Sequence, residues 1–225
     1  MVTSDSPGDL KVKGYYTIMG LSKITVCLRS VNDAIYTTTL HTVLNFGMLC
    51  KMNQIHLDVH INSGEPLPKL LKTCDRLIFI DYAVSIDGKT IQKLLAPFPD
   101  TVKVMVVPTV LSNIDWEKFK TKTRMGSSEP PNQRGLEFDI SVLTREISPG
   151  VSEYSKGDGR IIAYDSKAVL KKMGSSIQLS KLKDEGVKIG VLNEEAALCH
   201  YTYECVGNIL ETSGIKVSTD GGPQN

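Results

Sequence analysis

Short, almost wholly apolar segments alternate with amphipathic segments along the first half of the chain. The apolar segments are rich in β-branched residues, as buried strands are, and the segments between them place apolar residues on one helical face. Strands are predicted at 23–28, 54–61, 76–81 and 102–107, with helices at 32–49, 66–74 and 90–95 between them. This alternation is typical of a parallel sheet covered on both faces. The sequence therefore predicts an α/β fold with a mostly parallel central sheet and helices on both of its faces.

The second half of the chain has a less regular pattern. Strands are predicted at 140–146, 159–164 and 187–192, and helices at 113–121, 166–173, 179–184 and 194–212. A long polar loop at 122–134 separates the first of these helices from the next strand, and loops of this length are usually functional or disordered. We expect one domain over 23–212, preceded by an N-terminal arm at 1–22 and followed by a polar tail at 213–225.

Composition and charge exclude several classes of protein. The 225 residues carry a net charge of +1, and basic residues do not cluster, which argues against a nucleic-acid-binding surface. No apolar stretch approaches the roughly 20 residues that a membrane-spanning helix needs, and the chain opens on polar residues rather than a leader. The five cysteines are irregularly spaced, which favours a reducing compartment. We therefore expect a cytoplasmic protein that neither binds nucleic acid nor spans a membrane.

Asp81 ends the buried strand predicted at 76–81, at the position where α/β sheets place their ligands. A carboxylate at the carboxyl end of such a strand can hold Mg²⁺ or Mn²⁺, and the ion in turn neutralises a diphosphate. The alternative is an aspartate that closes the strand and begins a turn. Both interpretations stay open from the residues alone.

The segment 129–139 carries a second group of candidate residues. Glu137 and Asp139 would share one face of an extended segment, and a general base that deprotonates a hydroxyl can be drawn from this stretch. Arg134 can bind a phosphate through two parallel hydrogen bonds. The alternative interpretation of the whole segment is an ordinary polar surface loop.

Two further groups of potential metal ligands are His56, Asp58 and His60, and Cys199, His200 and Cys205. The first group shares one face of a predicted strand but spans about 13 Å, which exceeds the reach of one ion, so a solvent-facing strand surface is favoured. In the second group the two cysteines are too far apart in sequence to share a helix face cleanly, and a buried helix is favoured. Asp165, at a predicted strand end, is either a further acid or a helix cap.

A run of fourteen residues resembles the metal-binding segment of GT-A-fold glycosyltransferases. Residues 74–87 read Cys-Asp-Arg-Leu-Ile-Phe-Ile-Asp-Tyr-Ala-Val-Ser-Ile-Asp, and Ile91, Leu94 and Leu95 follow. In that family a hydrophobic strand runs into Asp-x-Asp and is followed by a helix with spaced apolar residues. The opening strand and its helix are similar to the nucleotide-binding start of the family. The later segments 113–119, 129–139 and 199–210 are similar to glycosyltransferase-like proteins of large nucleocytoplasmic DNA viruses.

The resemblance implies a GT-A-like, Rossmann-related fold and a function. The protein would transfer a sugar from a nucleotide-sugar donor to a hydroxyl of a glycan or protein acceptor, with Mn²⁺ or Mg²⁺ as cofactor. Residues 23–110 would form the nucleotide-binding half and 111–212 the acceptor half. Asp81 matches the first aspartate of the motif and would bind the metal. The other implied site residues are Asp87 and Arg134, at the donor, and Glu137 or Asp139, as catalytic base.

Ala83 occupies the second aspartate position of the motif and cannot bind a metal. Donor binding without a metal, recruitment of Asp87 or His200, and loss of activity all remain open. The sequence therefore supports two hypotheses. One is an active glycosyltransferase. The other is a catalytically inactive glycosyltransferase-like fold that serves as a minor virion or capsid-associated protein, with other viral proteins as partners. In both, the protein belongs to the cytoplasm of an infected cell, and the second adds association with the virion.

Overall fold

A computed structural model describes most of residues 20–192. The undescribed positions within that range are 31–34, 36, 62–65, 82–83, 111–113, 130, 132–133 and 173–176. The predicted helix at 194–212 lies outside the described residues, together with Cys199, His200 and Cys205. Ala83 and most of the two predicted end segments also lie outside them.

Strands and helices alternate through the first half of the chain, as predicted. The strands are β1 (Lys23–Leu28), β2 (His56–Ile61), β3 (Arg76–Ile80), β4 (Val104–Val107), β5 (Ile140–Ser148), β6 (Val151–Gly157), β7 (Ile161–Asp165) and β8 (Ile189–Leu192). The helices are α1 (Thr37–Met52), α2 (Leu67–Leu70), α3 (Gly88–Leu95), α4 (Trp116–Arg124), α5 (Ser166–Leu170) and α6 (Leu179–Asp184). Among these helices, none has both the length and the apolar character required to cross a membrane.

The eight described strands form one sheet in the order β2-β1-β3-β7-β4-β8-β6-β5. β1 pairs in parallel with β2 and β3, and β4 pairs in parallel with β8. β7 lies between β3 and β4 and is antiparallel to both, while β6 and β5 continue the sheet beyond β8 in antiparallel pairs. The predicted α/β class is confirmed. The sheet is parallel near its start and partly antiparallel towards its end.

Helices cover both faces of the sheet because the central strands are apolar on both faces. Successive side chains of a strand point to opposite faces, so β3 contributes to two separate cores. Ile78 and Ile80 pack with α1 and α3 on one face, and Leu77 packs in the cluster that α2, α5 and α6 cover on the other. Full burial of an aliphatic side chain stabilises a fold by roughly 1.5–3 kcal/mol, so the two cores hold the strand ends firmly in place.

Arg76 is a buried charge at the amino end of β3, with 4% of its surface exposed. Its Nη1 donates to the carbonyl oxygens of Leu94 (2.5 Å) and Ala96 (2.7 Å) at the end of α3, and its guanidinium lies 3.8 Å from the centre of the Phe98 ring. Burial lowers the pKa of Arg76 to about 10, so the side chain is still charged at neutral pH. The positive charge satisfies the free carbonyls of a helix C-terminus and fixes α3 to this edge of the sheet.

Candidate functional site

The carboxyl ends of β1, β3, β4 and β8 meet at one edge of the sheet, which we call the carboxyl edge. Asp81 directly follows β3 there, and its backbone N–H donates to the carbonyl of Arg160 (2.9 Å). The backbone N–H of Arg29, which directly follows β1, donates to the carbonyl of Ile80 (3.0 Å). Because β7 is antiparallel, its amino end lies at this same edge, and Arg160 immediately precedes it. The edge therefore brings Arg29, Asp81 and Arg160 together from three adjacent strands.

The carboxylate of Asp81 is largely buried and faces a cation. Its side chain is 13% exposed, and Oδ1 lies 4.0 Å from Nε of Arg29, whose own side chain is 61% exposed. Loop residues that follow parallel strands at this edge are the usual ligand-binding positions of α/β sheets. The pair thus presents one anchored carboxylate beside one solvent-accessible guanidinium.

Asp139 joins the same edge from a distant part of the sequence. Its Oδ1 accepts the backbone N–H of Thr109 (2.8 Å) and its Oδ2 accepts the backbone N–H of Arg160 (2.8 Å), while its own N–H donates to the carbonyl of Thr109 (2.9 Å). Burial is the main cause that raises the pKa of Asp139 to about 6, and the two backbone N–H groups and the charge of Arg160 act against it. Asp139 is therefore ionised at neutral pH and becomes protonated in mild acid.

Arg160 connects the two aspartates through its own backbone. Its carbonyl accepts the backbone N–H of Asp81 and its own N–H donates to the carboxylate of Asp139, so the two aspartates belong to one hydrogen-bonded unit. Its Nη1 is buried and has no hydrogen-bond partner among the described residues. A buried cationic N–H without a partner is costly, and an anionic oxygen would satisfy it.

The turn that leads into β7 depends on glycine. Gly157 has a φ of +117°, and a side chain there would overlap the carbonyl oxygen of Asp139. Gly159 has a φ of +67° and lies against Val106. Both backbone conformations are disfavoured for residues with a Cβ. The two glycines let the chain turn tightly enough to place Arg160 beside Asp139.

Arg134, which the resemblance places at the donor, is engaged within its own loop. Its Nε donates to the carbonyl of Glu129 (2.9 Å), its Nη2 to the carbonyl of Ser127 (3.1 Å) and its Nη1 to Oγ1 of Thr123 (3.2 Å). These contacts order the loop after α4. A role at a phosphate would require Arg134 to release some of them.

Asp87 and Glu137 also have partners of their own. The side chain of Asp87 accepts the backbone N–H of Thr90 (2.8 Å), which caps the start of α3. Glu137 is exposed and pairs with Nζ of Lys118 (3.4 Å), whereas Asp139 contacts backbone groups at the carboxyl edge. Of the residues expected at the site, the structure thus joins Asp81 and Asp139 in one unit and gives Asp87, Arg134 and Glu137 separate local contacts.

The histidine-rich face of β2 is an ion-paired surface. Oδ2 of Asp58 lies 2.7 Å from Nζ of Lys23, and Oδ1 lies 2.9 Å from Nε2 of His56. The hydrogen bond from Lys23 is the main cause that lowers the pKa of Asp58. An open cavity of about 470 Å³ lies near this strand, lined by residues 47, 50, 51 and 54–57. It lies at the amino end of β2, on the edge opposite to Asp81.

The donor set at the carboxyl edge does not fit a metal held by protein ligands. Within the described part of the chain, no three histidine, cysteine, aspartate or glutamate side chains are grouped so as to hold an ion. Asp81 faces the guanidinium of Arg29, which competes with a metal ion for its oxygens, and Asp139 is the only other carboxylate that the described residues bring to this unit. Mn²⁺ or Mg²⁺ therefore stays a prediction of the sequence.

Comparisons with known proteins give similarities of shape at low sequence identity. No protein-family model matches the chain, and no curated protein matches it. Among solved structures, A197 from STIV aligns over 76% of this chain and 82% of its own, with 13% identity and a TM-score of 0.45. The inositol-1-phosphate CTP transferase from T. maritima aligns over 85% and 98%, with 10% identity and a TM-score of 0.40. A glycosyltransferase involved in the glycosylation of the major capsid of PBCV-1 aligns over 84% and 88%, with 10% identity and a TM-score of 0.32.

Proposed function

We propose that this chain is a glycosyltransferase-like protein that binds a nucleotide-sugar donor at the carboxyl edge and transfers the sugar to a hydroxyl of a glycan or protein acceptor. The observation that carries the proposal is the unit formed by Asp81, Arg160 and Asp139, with Arg29 beside it. Such a unit offers carboxylates for hydroxyl groups and guanidinium groups for phosphates, which are the two chemistries that a nucleotide sugar presents.

The two arginines are proposed to bind the diphosphate of the donor. Guanidinium groups match phosphate oxygens in shape and charge, and they form the stronger, charge-assisted type of hydrogen bond. Arg29 is exposed at the edge, and Nη1 of Arg160 is a buried donor without a described partner. Their charges would neutralise the diphosphate in the role that a metal fills where two aspartates are present. Ala83 is compatible with this arrangement.

Asp139 is proposed as the base that accepts the proton of the acceptor hydroxyl. Each of its oxygens has a lone pair beyond the one that accepts a backbone N–H, and its pKa of about 6 leaves it ionised at neutral pH. As the proton moves to Asp139, the acceptor oxygen forms a bond to the anomeric carbon, and the bond from that carbon to the diphosphate breaks. The nucleoside diphosphate leaves with the electron pair. Asp81 would accept hydroxyl groups of the bound sugar and orient it.

Calorimetry with UDP- and GDP-sugars tests donor binding directly. We expect heat of binding with at least one donor, without a requirement for Mn²⁺, and about a tenfold or greater loss of affinity in Arg160→Gln. Asp100→Asn serves as a matched control, because Asp100 is exposed and lies in the turn before β4, away from the carboxyl edge. Absence of heat from every donor, with a protein that is folded by circular dichroism, would overturn the proposal.

A second function is favoured by Ala83, which removes one carboxylate from the motif. In this alternative the domain is a catalytically inactive, virion-associated protein whose partners are other viral proteins. The calorimetry separates the two functions. A folded wild-type protein without donor binding supports the second function, and donor binding that Arg160→Gln weakens supports the first.

A further inference from the structure

Trp116 is the only tryptophan of the chain, and it is exposed at the first position of α4. It is 61% exposed, although a buried tryptophan removes more apolar surface from water than most other side chains do. Its ring has an ordered neighbour in Phe119, one turn later, with 5.8 Å between the ring centroids and 76° between the ring planes. An edge-to-face pair of this kind holds the orientation of both rings. Trp116 thus presents an ordered aromatic surface to the solvent.

The segment that carries Trp116 leaves the sheet at the carboxyl edge and returns to it there. At its base, Thr109 and Asp139 exchange two hydrogen bonds. Further along, the N–H of Asp115 donates to the carbonyl of Gly135 (2.9 Å). Gly135 precedes Asp139 by four residues, which span at most about 14 Å. Because Trp116 is next to Asp115, it lies within the reach of an oligosaccharide that extends from Asp139.

The charges around Trp116 are balanced and mostly paired. Residues 114–137, which we call the α4 arm, contain five basic and four acidic side chains, so the net charge of the arm is +1. Three ion pairs between a lysine and a glutamate lie within the arm, and they are Lys118–Glu137 (3.4 Å), Lys120–Glu117 (2.6 Å) and Lys122–Glu129 (2.6 Å). Nucleic acids and anionic membranes bind to surfaces with a clear excess of basic side chains. The balance of charge therefore favours a neutral ligand.

Hydrogen-bonding groups lie beside the ring. Lys120 follows Trp116 by four residues, so the two side chains share one face of the helix. Glu117, the partner of Lys120, is adjacent to Trp116 in sequence, and its side chain is 82% exposed. A carboxylate accepts hydrogen bonds and an ammonium group donates them, while the hydroxyl groups of a sugar do both. The apolar C–H face of a sugar ring packs on an aromatic face, so Trp116 and this ion pair together match both chemistries of a sugar.

The apolar part of this surface has the size of a sugar ring rather than of a protein interface. Trp116 and Ile114, which is 46% exposed, are the large apolar side chains exposed at this end of the arm among the described residues. A stable protein interface takes about 800 Å² from each partner and has an apolar centre. One tryptophan contributes about 250 Å² at most. A ligand of a few sugar rings therefore fits the exposed ring better than a protein does.

We propose that Trp116 is the acceptor-binding platform of this chain and that the acceptor is a neutral oligosaccharide. One sugar ring stacks on Trp116 and forms hydrogen bonds with the Glu117–Lys120 pair, while the terminal hydroxyl of the oligosaccharide extends to Asp139 at the carboxyl edge. This inference rests on the transfer reaction proposed above, and it specifies the class of acceptor that the reaction uses.

Intrinsic fluorescence tests the platform without donor or turnover, because the emission of the single tryptophan reports on this site alone. The full chain is titrated with short neutral oligomers of glucose, mannose, galactose and N-acetylglucosamine. At least one of them should shift the emission of Trp116 to shorter wavelength and reduce its quenching by acrylamide, since a stacked sugar ring excludes water. Absence of a response from every oligosaccharide would overturn the proposal. A response only to vesicles of phosphatidylcholine and phosphatidylserine, or only to an unglycosylated serine-containing peptide, would also overturn it.

Calorimetry with the oligosaccharide that gives a response tests the role of the ring. Trp116→Ala should weaken binding by about tenfold or more, and Trp116→Tyr should retain most of the affinity, because a tyrosine ring also stacks. Met125→Ala is the matched control, since Met125 is 81% exposed at the other end of α4 and its replacement should leave binding unchanged. Circular dichroism checks that each variant is folded. Equal affinities of Trp116→Ala and the wild type would overturn the proposal.

Donor binding and oligosaccharide binding can fail separately. A chain that binds a donor but none of the oligosaccharides leaves the transfer reaction intact and overturns the neutral oligosaccharide as its acceptor. A chain that binds no donor, but binds an oligosaccharide through Trp116, overturns the transfer reaction and leaves Trp116 as a sugar-binding site.

Discussion

The carboxylate of Asp139 forms structural hydrogen bonds, and its buried position also raises its pKa. It follows Phe138, whose backbone bridges to Val110, and this contact brings the start of β5 to the end of β4. The two carboxylate oxygens then close the junction between Thr109 and Arg160. The same burial that makes these bonds structurally important shifts the titration of the group towards neutral pH.

We predict that Asp139 titrates near pH 6 in the folded protein. Its proton binds more tightly in the folded state than in the unfolded chain. Its contribution to stability is therefore fully present below about pH 4 and is lost as the pH rises through about 6. Arg160→Gln should raise the pKa further, because the charge of Arg160 lowers it. The carboxyl carbon shift in NMR measures both effects, and Arg145→Gln on exposed β5 is the control. A measured pKa near 4 for Asp139 would contradict the burial of its carboxyl group.

At the scale of elements, the sequence predicted strands with a regular local pattern better than strands whose conformation depends on a distant partner. The predicted strand at 23–28 coincides with β1, and that at 76–81 differs from β3 by one residue. β6 was not predicted, because its buried residues, Val151 and Tyr154, are three apart and irregular pairing with β5 breaks the two-residue period. Such a bulge depends on the partner strand and leaves little trace in a single segment.

The candidate site could be predicted only in part for a related reason. Asp81 and Asp139 were named from local context, at a strand end and in a polar segment. Arg29 and Arg160 were not predicted. Arg160 in particular reaches the carboxyl edge only because β7 runs antiparallel between β3 and β4. The signal in the sequence was the glycine-rich turn that ends at Gly159, with Arg160 between it and an apolar run. The topology was needed to interpret it.

We predict that Gly157→Ala destabilises the protein by about 3 kcal/mol or more. The new Cβ would overlap the backbone of Asp139 and Ile140, and φ at this position is strongly positive. Gly88→Ala is the matched control, since a Cβ at the start of α3 meets nothing within 4 Å and should leave stability unchanged or raise it by about 0.5 kcal/mol. Urea unfolding measures both. Equal stability of the two variants would contradict the tight contact at Asp139.

At the scale of the whole molecule, Asp75 holds the edge of the sheet opposite to the carboxyl edge. Its Oδ2 accepts the hydroxyl of Ser22 (2.7 Å) and the backbone N–H groups of Ser22 (2.9 Å) and Lys23 (3.0 Å), and Oδ1 lies 3.2 Å from Nζ of Lys167. Its carbonyl accepts the N–H of Ser166. One aspartate thereby joins the starts of β1, β3 and α5.

We predict that Asp75 contributes to acid sensitivity. The hydrogen bond from the Ser22 side chain is the main cause that holds the pKa of Asp75 well below its usual range. Its stabilisation is therefore present above about pH 4 and is lost as the pH falls further. The free energy of unfolding of Asp75→Asn should be about 2 kcal/mol lower than that of the wild type at pH 7. Between pH 7 and pH 3 it should decrease less than that of the wild type. Urea unfolding at both values measures this, with Asp100→Asn as control. An unchanged decrease in Asp75→Asn would exclude this role.

The position of β7 has a consequence for the order in which the molecule assembles. β1, β2 and β3 can pair as soon as they are synthesised, but β4 shares no ladder with them and has to wait for β7, which comes more than fifty residues later in the chain. Contacts between such distant segments form slowly, because a long loop must close first. A nascent chain that has emerged only as far as Asp139 contains both aspartates of the carboxyl edge. It still lacks Arg160, the residue that joins them, so ligand binding at this edge should be acquired late in folding.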